Sequence, residues 1–325
     1  MKPFRQIDAS ALTATCLSEE MRQHGYVLVR GLLTSDDLDP LLREITHILA
    51  DLRWLVSDSD PVRRIANPSA ACADGDTAYK AVNDKVFQLQ SFHRLPHHAL
   101  LQNVMKFLVG TELFIHPKSA VRLVFPRFDR GTTKAHQDHT AIGGTEESFT
   151  AWLPLHDCPI EQGVLRLKSG SHRFGLQPTA GKTGCITSGT EQGDEWVGGD
   201  LNKGDLLIFH SLTVHEALPN QSNRMRISLD CRFQNYRQPV NPAALVFTGS
   251  SGRSWSDVYR DWLSDELKYY WTKLPLELNP SKQQLAELAA NAESIEMRSR
   301  YARILERIEQ LSTLTGSKLQ DARTR

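Results

Sequence analysis

From residue 226 the chain reads R-I-S-L-D-C-R-F, a strict alternation of polar and apolar side chains. Successive side chains of a β-strand point to opposite faces. Ile227, Leu229, Cys231 and Phe233 therefore share one side, and Arg226, Ser228, Asp230 and Arg232 share the other. An apolar row backed by a row of charges needs a core on one face and solvent or a polar cavity on the other. Further short strand candidates are VRLVF (121–125), SFTAWLPL (148–155), GVLRLKSGSH (163–172) and DLLIF (205–209), separated by Gly, Pro, Asp and Asn turns. Short strands without intervening amphipathic helices predict an antiparallel sandwich or barrel, with a jelly roll well suited to carrying a site at its mouth.

Helical signals flank this middle. SEEMRQHG reads as a short polar helix stopped by Gly25, followed by the β-branched run YVLVRGLL. Thr34-Ser35-Asp36-Asp37 resembles an N-cap for a helix through LLREITHILADL. Residues 57–85, rich in Asp, Ser, Ala and Pro, read as a loop or lid, and 86–108 as helices broken at Pro96 and ended by Gly110. From about 255 the chain returns to helix. Leu285, Leu288, Ala292, Ile295, Ala302, Leu305, Ile308 and Leu311 recur at gaps of mostly three or four, an amphipathic helix or a pair of them. That face either packs on the domain's own sheet or makes a homodimer contact. The expected division is a β-rich domain with N-terminal helices over 1–240 and a helical extension, as lid or dimer contact, over 241–325.

Composition removes several function classes. Lys+Arg and Asp+Glu both number 38 in 325 residues, so no global field attracts nucleic acid or an anionic membrane. MKPFRQIDAS has no apolar run behind its charges, which argues against a signal peptide, and Tyr26 to Leu33 is interrupted by Arg30 and too short to span a bilayer. Five dispersed cysteines without CxxC spacing fit reduced thiols in a cytoplasmic protein, not a disulfide frame or a thiolate zinc site.

The chemistry concentrates in His136-Gln137-Asp138 and in His215, which is followed by Arg226. Residues two apart on a strand share a side, so His136 and Asp138 can converge while Gln137 points elsewhere. Two imidazoles and one carboxylate occupy one face of an octahedral iron(II) and leave three positions for small molecules. A guanidinium fork at Arg226 matches a carboxylate, such as the far end of a dicarboxylate in two of those positions, and Ser228 adds a hydroxyl donor. HxD alone is weak in a chain with 12 histidines. HxD, a distal His and the following RxS, in this order within β-rich sequence, are far more specific.

These residues resemble the phytanoyl-CoA dioxygenase-type branch of the iron(II)/2-oxoglutarate-dependent oxygenases. The matching pieces are HQD at 136–138, TAWLPL at 150–155, EQGVLRLKSGSHRFG at 161–175, KGDLLIFH at 203–210 and HEALPNQSNRMRISLDCRF at 215–233. They span roughly residues 15–235 in the family's order. The resemblance implies a mainly β fold, a double-stranded β-helix (jelly-roll, cupin-like) core with flanking helices. It further implies that His136, Asp138 and His215 ligate Fe(II) and that Arg226 pairs with the distal carboxylate of 2-oxoglutarate. Ser228 and Trp152 would lie beside the cosubstrate, Gln137 close to the site without ligating, and Arg122 facing cosubstrate or substrate. Ala217 departs from the family, which often has Ser or Thr there.

The implied reaction is hydroxylation of an unactivated C–H of a small-molecule metabolite, in bacterial secondary metabolism, consuming O2 and releasing succinate and CO2. Desaturation or ring closure are variants of the same oxidation. A carboxylate at 138 favours hydroxylation over halogenation, since halogenases of this superfamily vacate that position. Arg122, His139, His210 and Arg232 are candidates to face an anionic or polar substrate group. Two rival readings remain. His136-Gln137-Asp138-His139 is the end of an HxHxDH hydrolase motif, although Lys134 replaces its first histidine. The other rival is a non-catalytic jelly-roll binding protein.

Overall fold

The computed structural model describes residues 1–180, 184–247, 253–316 and 320–321. In chain order the elements used below are β1 (Gln6–Asp8), α1 (Ala14–His24), β2 (Tyr26–Arg30), α2 (Ser35–Asp51), α3 (Thr77–Gln88), α4 (Gln90–Arg94) and α5 (Ala99–Val109). They continue with β3 (Leu113–Ile115), β4 (Ala120–Val124), α6 (His139–Ile142), β5 (Ser148–Pro154), β6 (Leu165–Lys168), β7 (Trp196–Val197) and β8 (Leu206–His210). The last are β9 (His215–Ala217), β10 (Arg226–Asn235), α7 (Trp255–Tyr259), α8 (Lys282–Asn291) and α9 (Ile295–Thr315).

Local signals explain the N-terminal elements. Thr13 caps α1, and Gly25, in the left-handed region at φ 75°, ends it and turns the chain into β2. Thr34 and Asp37 form a reciprocal capping box at the start of α2. The break at Pro96 and the stop at Gly110 fall where the sequence puts them.

Two sheets organise the molecule. The larger runs β1-β2-β8-β5-β10-β3, with β4 also paired to β10, and the smaller runs β7-β6-β9. Alternation gives the large sheet two unlike faces. Val27, Val29, Ala151, Leu153, Leu206, Ile208, Ile227, Leu229, Cys231 and Phe233 belong to one core cluster together with apolar residues of α1, α2, α3 and α5. Tyr26, Leu28, Trp152, Leu207 and Phe209, on the other face, join Leu165, Leu167, Val197 and Ala217 of the small sheet in a second cluster. The space between the sheets is apolar at the β2–β8 side and polar along β10.

The expectation of a mainly β chain needs correction: the fold is mixed, and helical residues outnumber strand residues among those described. Part of 57–85, read as loop or lid, is helix α3. Its inward side carries Tyr79, Val82 and Val86, spaced by three and four, behind a polar stretch that concealed the period. Of GVLRLKSGSH only Leu165–Lys168 is strand.

The C-terminal region packs into the same core as the N-terminal helices. Trp255, Val258, Tyr259, Trp262 and Trp271, with Ile304, Ile308 and Leu311 of α9, belong to the cluster on the large sheet's outer side. The single amphipathic stripe resolves into the paired helices α8 and α9, split at Ala292 to Ser294. Four of its members lie outside the core: Leu288 at 39% and Ile295 at 81% exposure, with Ala292 and the exposed Ala302. Among the described residues no helix is long and apolar enough to cross a membrane.

Three imidazoles in this helical layer make stability depend on pH. Burial pushes His93, His97 and His116 down to about 4. In the unfolded chain each takes a proton near its ordinary pKa, about 6.5; in the folded chain none does until about 4. Stability is therefore full above that ordinary value and is lost as pH falls towards 4. Urea unfolding at pH 7.5 and 5.0 should show a loss on the order of several kcal/mol; equal midpoints would contradict it.

Candidate metal centre

His136 and His215 face each other across an isolated antiparallel bridge. Each donates its backbone N–H to the other's carbonyl, both at 3.0 Å, and the ring centroids lie 4.2 Å apart. Their Nδ1 atoms donate to carbonyls two residues earlier, His136 to Lys134 at 2.8 Å and His215 to Thr213 at 3.0 Å. That use of Nδ1–H fixes the tautomer and leaves the Nε2 lone pairs free for a cation. Both Nε2 atoms point to one oxygen: Asp138 Oδ1 lies 3.7 Å from His136 and 3.9 Å from His215. The ligand atoms of the three residues all fall within 4.8 Å of one another, and among the described residues no other such group occurs.

Two residues hold the carboxylate. Thr150 Oγ1 donates to Asp138 Oδ2 at 2.5 Å, and Arg232 Nη2 stands 3.4 Å from both oxygens. Burial alone would raise the Asp138 pKa, but Arg232, His136 and His215 together outweigh it and hold the group well below the usual carboxylate range. Burial pushes His215 down to about 4, so it stays neutral and able to ligate at ordinary pH. Arg232 also lies 3.6 Å from Asp230, whose Oδ2 accepts from Arg122 Nε at 2.8 Å. Charges alternate from Arg122 through Asp230 and Arg232 to Asp138.

A second niche lies towards the start of β10 on the same inner face. Arg226 is 1% exposed; its Nη1 donates to the Gly163 carbonyl, and its Nε has no partner. Gly163, at φ 80°, lies so close to Leu218 and Asn220 that a Cβ there would strike their backbone. Among the described residues no carboxylate pairs with Arg226, and burial pushes its pKa down. Ser228 Oγ and Trp152 Nε1 are buried without partners too, and the Arg226 guanidinium carbon is 5.9 Å from the Trp152 ring centroid. An uncompensated buried cation costs several kcal/mol. A carboxylate guest would offset that cost and use the idle donors.

Other sequence candidates fall elsewhere. Gln137, expected close to the site without ligating, points away from the metal group: its amide donates to Gly175 and Leu212 carbonyls and accepts from Gln177 N–H. With both amide hydrogens engaged it braces loops behind the ligands. His210 stays outside the ligand group; its Nδ1 accepts from Leu212 N–H and its ring packs on Phe149. His139, the last residue of the hydrolase motif, opens α6 and is likewise outside the group, while Lys134 is exposed. Ala217 joins the core between the sheets. Thr150 was missed, although alternation with Trp152 in TAWLPL places it on the inner face, directly opposite Arg232.

The family model for Phytanoyl-CoA dioxygenase (PhyH) matches residues 21–228. The chain belongs to the phytanoyl-CoA dioxygenase family. Its cofactor and cosubstrate are iron and 2-oxoglutarate, which suit the two-histidine, one-carboxylate group and the unpaired Arg226. A 1-deoxypentalenic acid 11-beta-hydroxylase of Streptomyces arenae is 26% identical over 236 residues, covering 65% of this chain and 78% of that protein. The epimerase SnoN, solved with Fe3+, alpha ketoglutarate and nogalamycin RO, superposes with a TM-score of 0.54 at 24% identity, over 74% of this chain and 92% of that one. The carbocyclase SnoK from nogalamycin biosynthesis gives 0.51 at 20% identity, over 74% and 90%. Both solved structures share the fold.

The two niches should fail separately. Arg226→Met should weaken 2-oxoglutarate binding about 100-fold, as expected when one partner of a buried charge pair is removed, and leave iron binding intact. Thr150→Val should weaken iron(II) binding roughly 10- to 100-fold. Anaerobic titration calorimetry with each ligand would check both; Arg226→Met with wild-type 2-oxoglutarate affinity would remove Arg226 from the site.

Proposed function

We propose that this enzyme is an iron(II)/2-oxoglutarate-dependent dioxygenase that hydroxylates an unactivated C–H of a small-molecule metabolite in bacterial secondary metabolism. The observation that carries this reading is the pairing of one converging His/Asp/His group with one buried arginine that has no acid partner among the described residues, on the inner face of the sheet whose Thr150 and Arg232 hold Asp138. Two facing sheets with ligands drawn from the edge between them fit a double-stranded β-helix core. The Streptomyces arenae relative, a hydroxylase by name, supports the choice of hydroxylation over the epimerisation and carbocyclisation named for the two solved structures.

His136, Asp138 and His215 would hold the metal through Nε2, one carboxylate oxygen and Nε2. When bound, iron with O2 and 2-oxoglutarate supplies the oxidising power: the keto acid becomes succinate and CO2, and the second oxygen atom enters the substrate C–H. Arg226 and Ser228 would anchor the distal carboxylate of 2-oxoglutarate against Trp152, whose ring closes that end of the site. Thr150 and Arg232 fix the carboxylate plane of Asp138, and Arg232 keeps it ionised. Asp138 also fills the position that a halide would need, which favours oxygen transfer.

Asp138→Ala should abolish succinate formation from 2-oxoglutarate, as should His136→Ala, while His210→Ala should retain a measurable rate. Full turnover in Asp138→Ala would overturn the ligand assignment.

A further inference from the structure

Beyond Arg232, on the side of Asp138 away from Arg226, lies a cavity of about 300 Å³. Arg226 and Arg232 are six residues apart on β10, roughly 20 Å along an extended strand, so this cavity and the 2-oxoglutarate niche are different places. It adjoins the metal centre through Arg232, and none of His136, Asp138 and His215 lines it. Arg232 lines it and touches Asp138, and Ala141 and Ile142 line it from α6, the helix that starts immediately after Asp138.

The lining has an unusual charge pattern. Lys118, Arg232 and Arg300 contribute three cations, and no Asp or Glu is among the lining residues. Arg232 is already matched by Asp138 and Asp230. Lys118 is not matched by an acid among the described residues: its ammonium donates to the Ala243 and Val246 carbonyls at 2.8 Å each. An ammonium has three hydrogens, so one donor remains. Arg300, on α9, makes no ion pair among the described residues. The nearness of Arg300 and Arg232, after burial itself, helps push Lys118 down to about 8. An anion between Lys118 and Arg300 would relieve that repulsion.

The rest of the wall combines the polar side chains of Asn83, His116 and Ser119 with a mostly small apolar surface. Phe87 supplies a ring, and Ala120, Ala141, Ala243 and Ala244 leave room that larger side chains would fill. Ligand pockets for drug-sized molecules run from about 300 to 1,000 Å³, so this one takes a compact molecule. Ala243, Ala244 and Arg300 lie beyond residue 228, where the family match ends.

We propose that this cavity receives the substrate, a compact apolar molecule bearing a carboxylate, and that the acid group is held between Lys118 and Arg300. The C-terminal region is then part of the active site: its 243–244 turn and α9 complete the substrate wall, and Arg300 selects for the acid. This rests on the oxygenase reading, since the metal must lie at Asp138 for the cavity to face it.

The test uses the full chain loaded with iron(II) and 2-oxoglutarate without oxygen. The probes are adamantane-1-carboxylate and cyclohexylacetate, each beside its neutral amide. The acids should bind roughly tenfold more tightly than the amides, with the preference shrinking as salt is raised. Arg300→Gln, a change on the exposed side of α9, should cut the preference at least threefold, and adding Lys118→Met should remove it. Circular dichroism and the 2-oxoglutarate affinity should stay at wild-type values in Arg300→Gln. No preference for acids, no binding of any probe, or a full preference in the double variant would overturn the proposal. Iron and 2-oxoglutarate affinities measured on the same samples separate the two failures. Their absence in the wild-type protein sinks the oxygenase reading, whereas their presence with no acid preference sinks only this assignment.

Discussion

The backbone bridge between His136 and His215 is the constraint on which the site depends. Two stretches far apart in sequence exchange a pair of N–H···O=C bonds, which sets their imidazoles side by side before any metal arrives. Each ring is then fixed in rotation and tautomer by its own Nδ1 bond to a local carbonyl. Asp138 reaches the same point because it lies two residues after His136, where the chain leaves the bridge and turns into a short helix. Preorganisation of this kind makes a ligand set cheap to complete, since little ordering is left for the metal to impose.

Around that bridge the inner face of β10 distributes charge by position. Arg226 has no acid partner among the described residues, Asp230 sits between Arg122 and Arg232, and Arg232 reaches Asp138. One strand thus carries a vacant cation at one end and a neutralised chain of charges at the other. The outer face of the same strand is apolar from Ile227 to Phe233 and packs on helices, which holds the register that this ordering needs.

The C-terminal helices share the core of the N-terminal layer through Trp255, Trp271 and Ile308, and they border a cavity beside the metal centre. Their sequence showed an amphipathic period but not its target. The stripe was legible because α9 does bury one face. Its partner was not, because the aromatic cluster it meets comes from a separate segment, around 255–271, that carries no periodic signal.

Spacing within a single strand or turn was readable directly. Alternation in 226–233 gave the faces of β10, and the HxD pattern with a later histidine and RxS named the group that converges. Caps at Thr34 and Gly25 and the break at Pro96 were equally local. Tertiary structure alone decided what each polar residue meets: that Gln137 spends its amide on loops, that Thr150 lies against Asp138, and that Lys118 and Arg300 share a wall. The physical reason is range. Periodicity and capping act within a few residues, whereas a carboxylate's partner or a cavity's charge depends on elements brought together across gaps from 12 residues, for Thr150 and Asp138, to 94, for Arg232 and Asp138, and beyond.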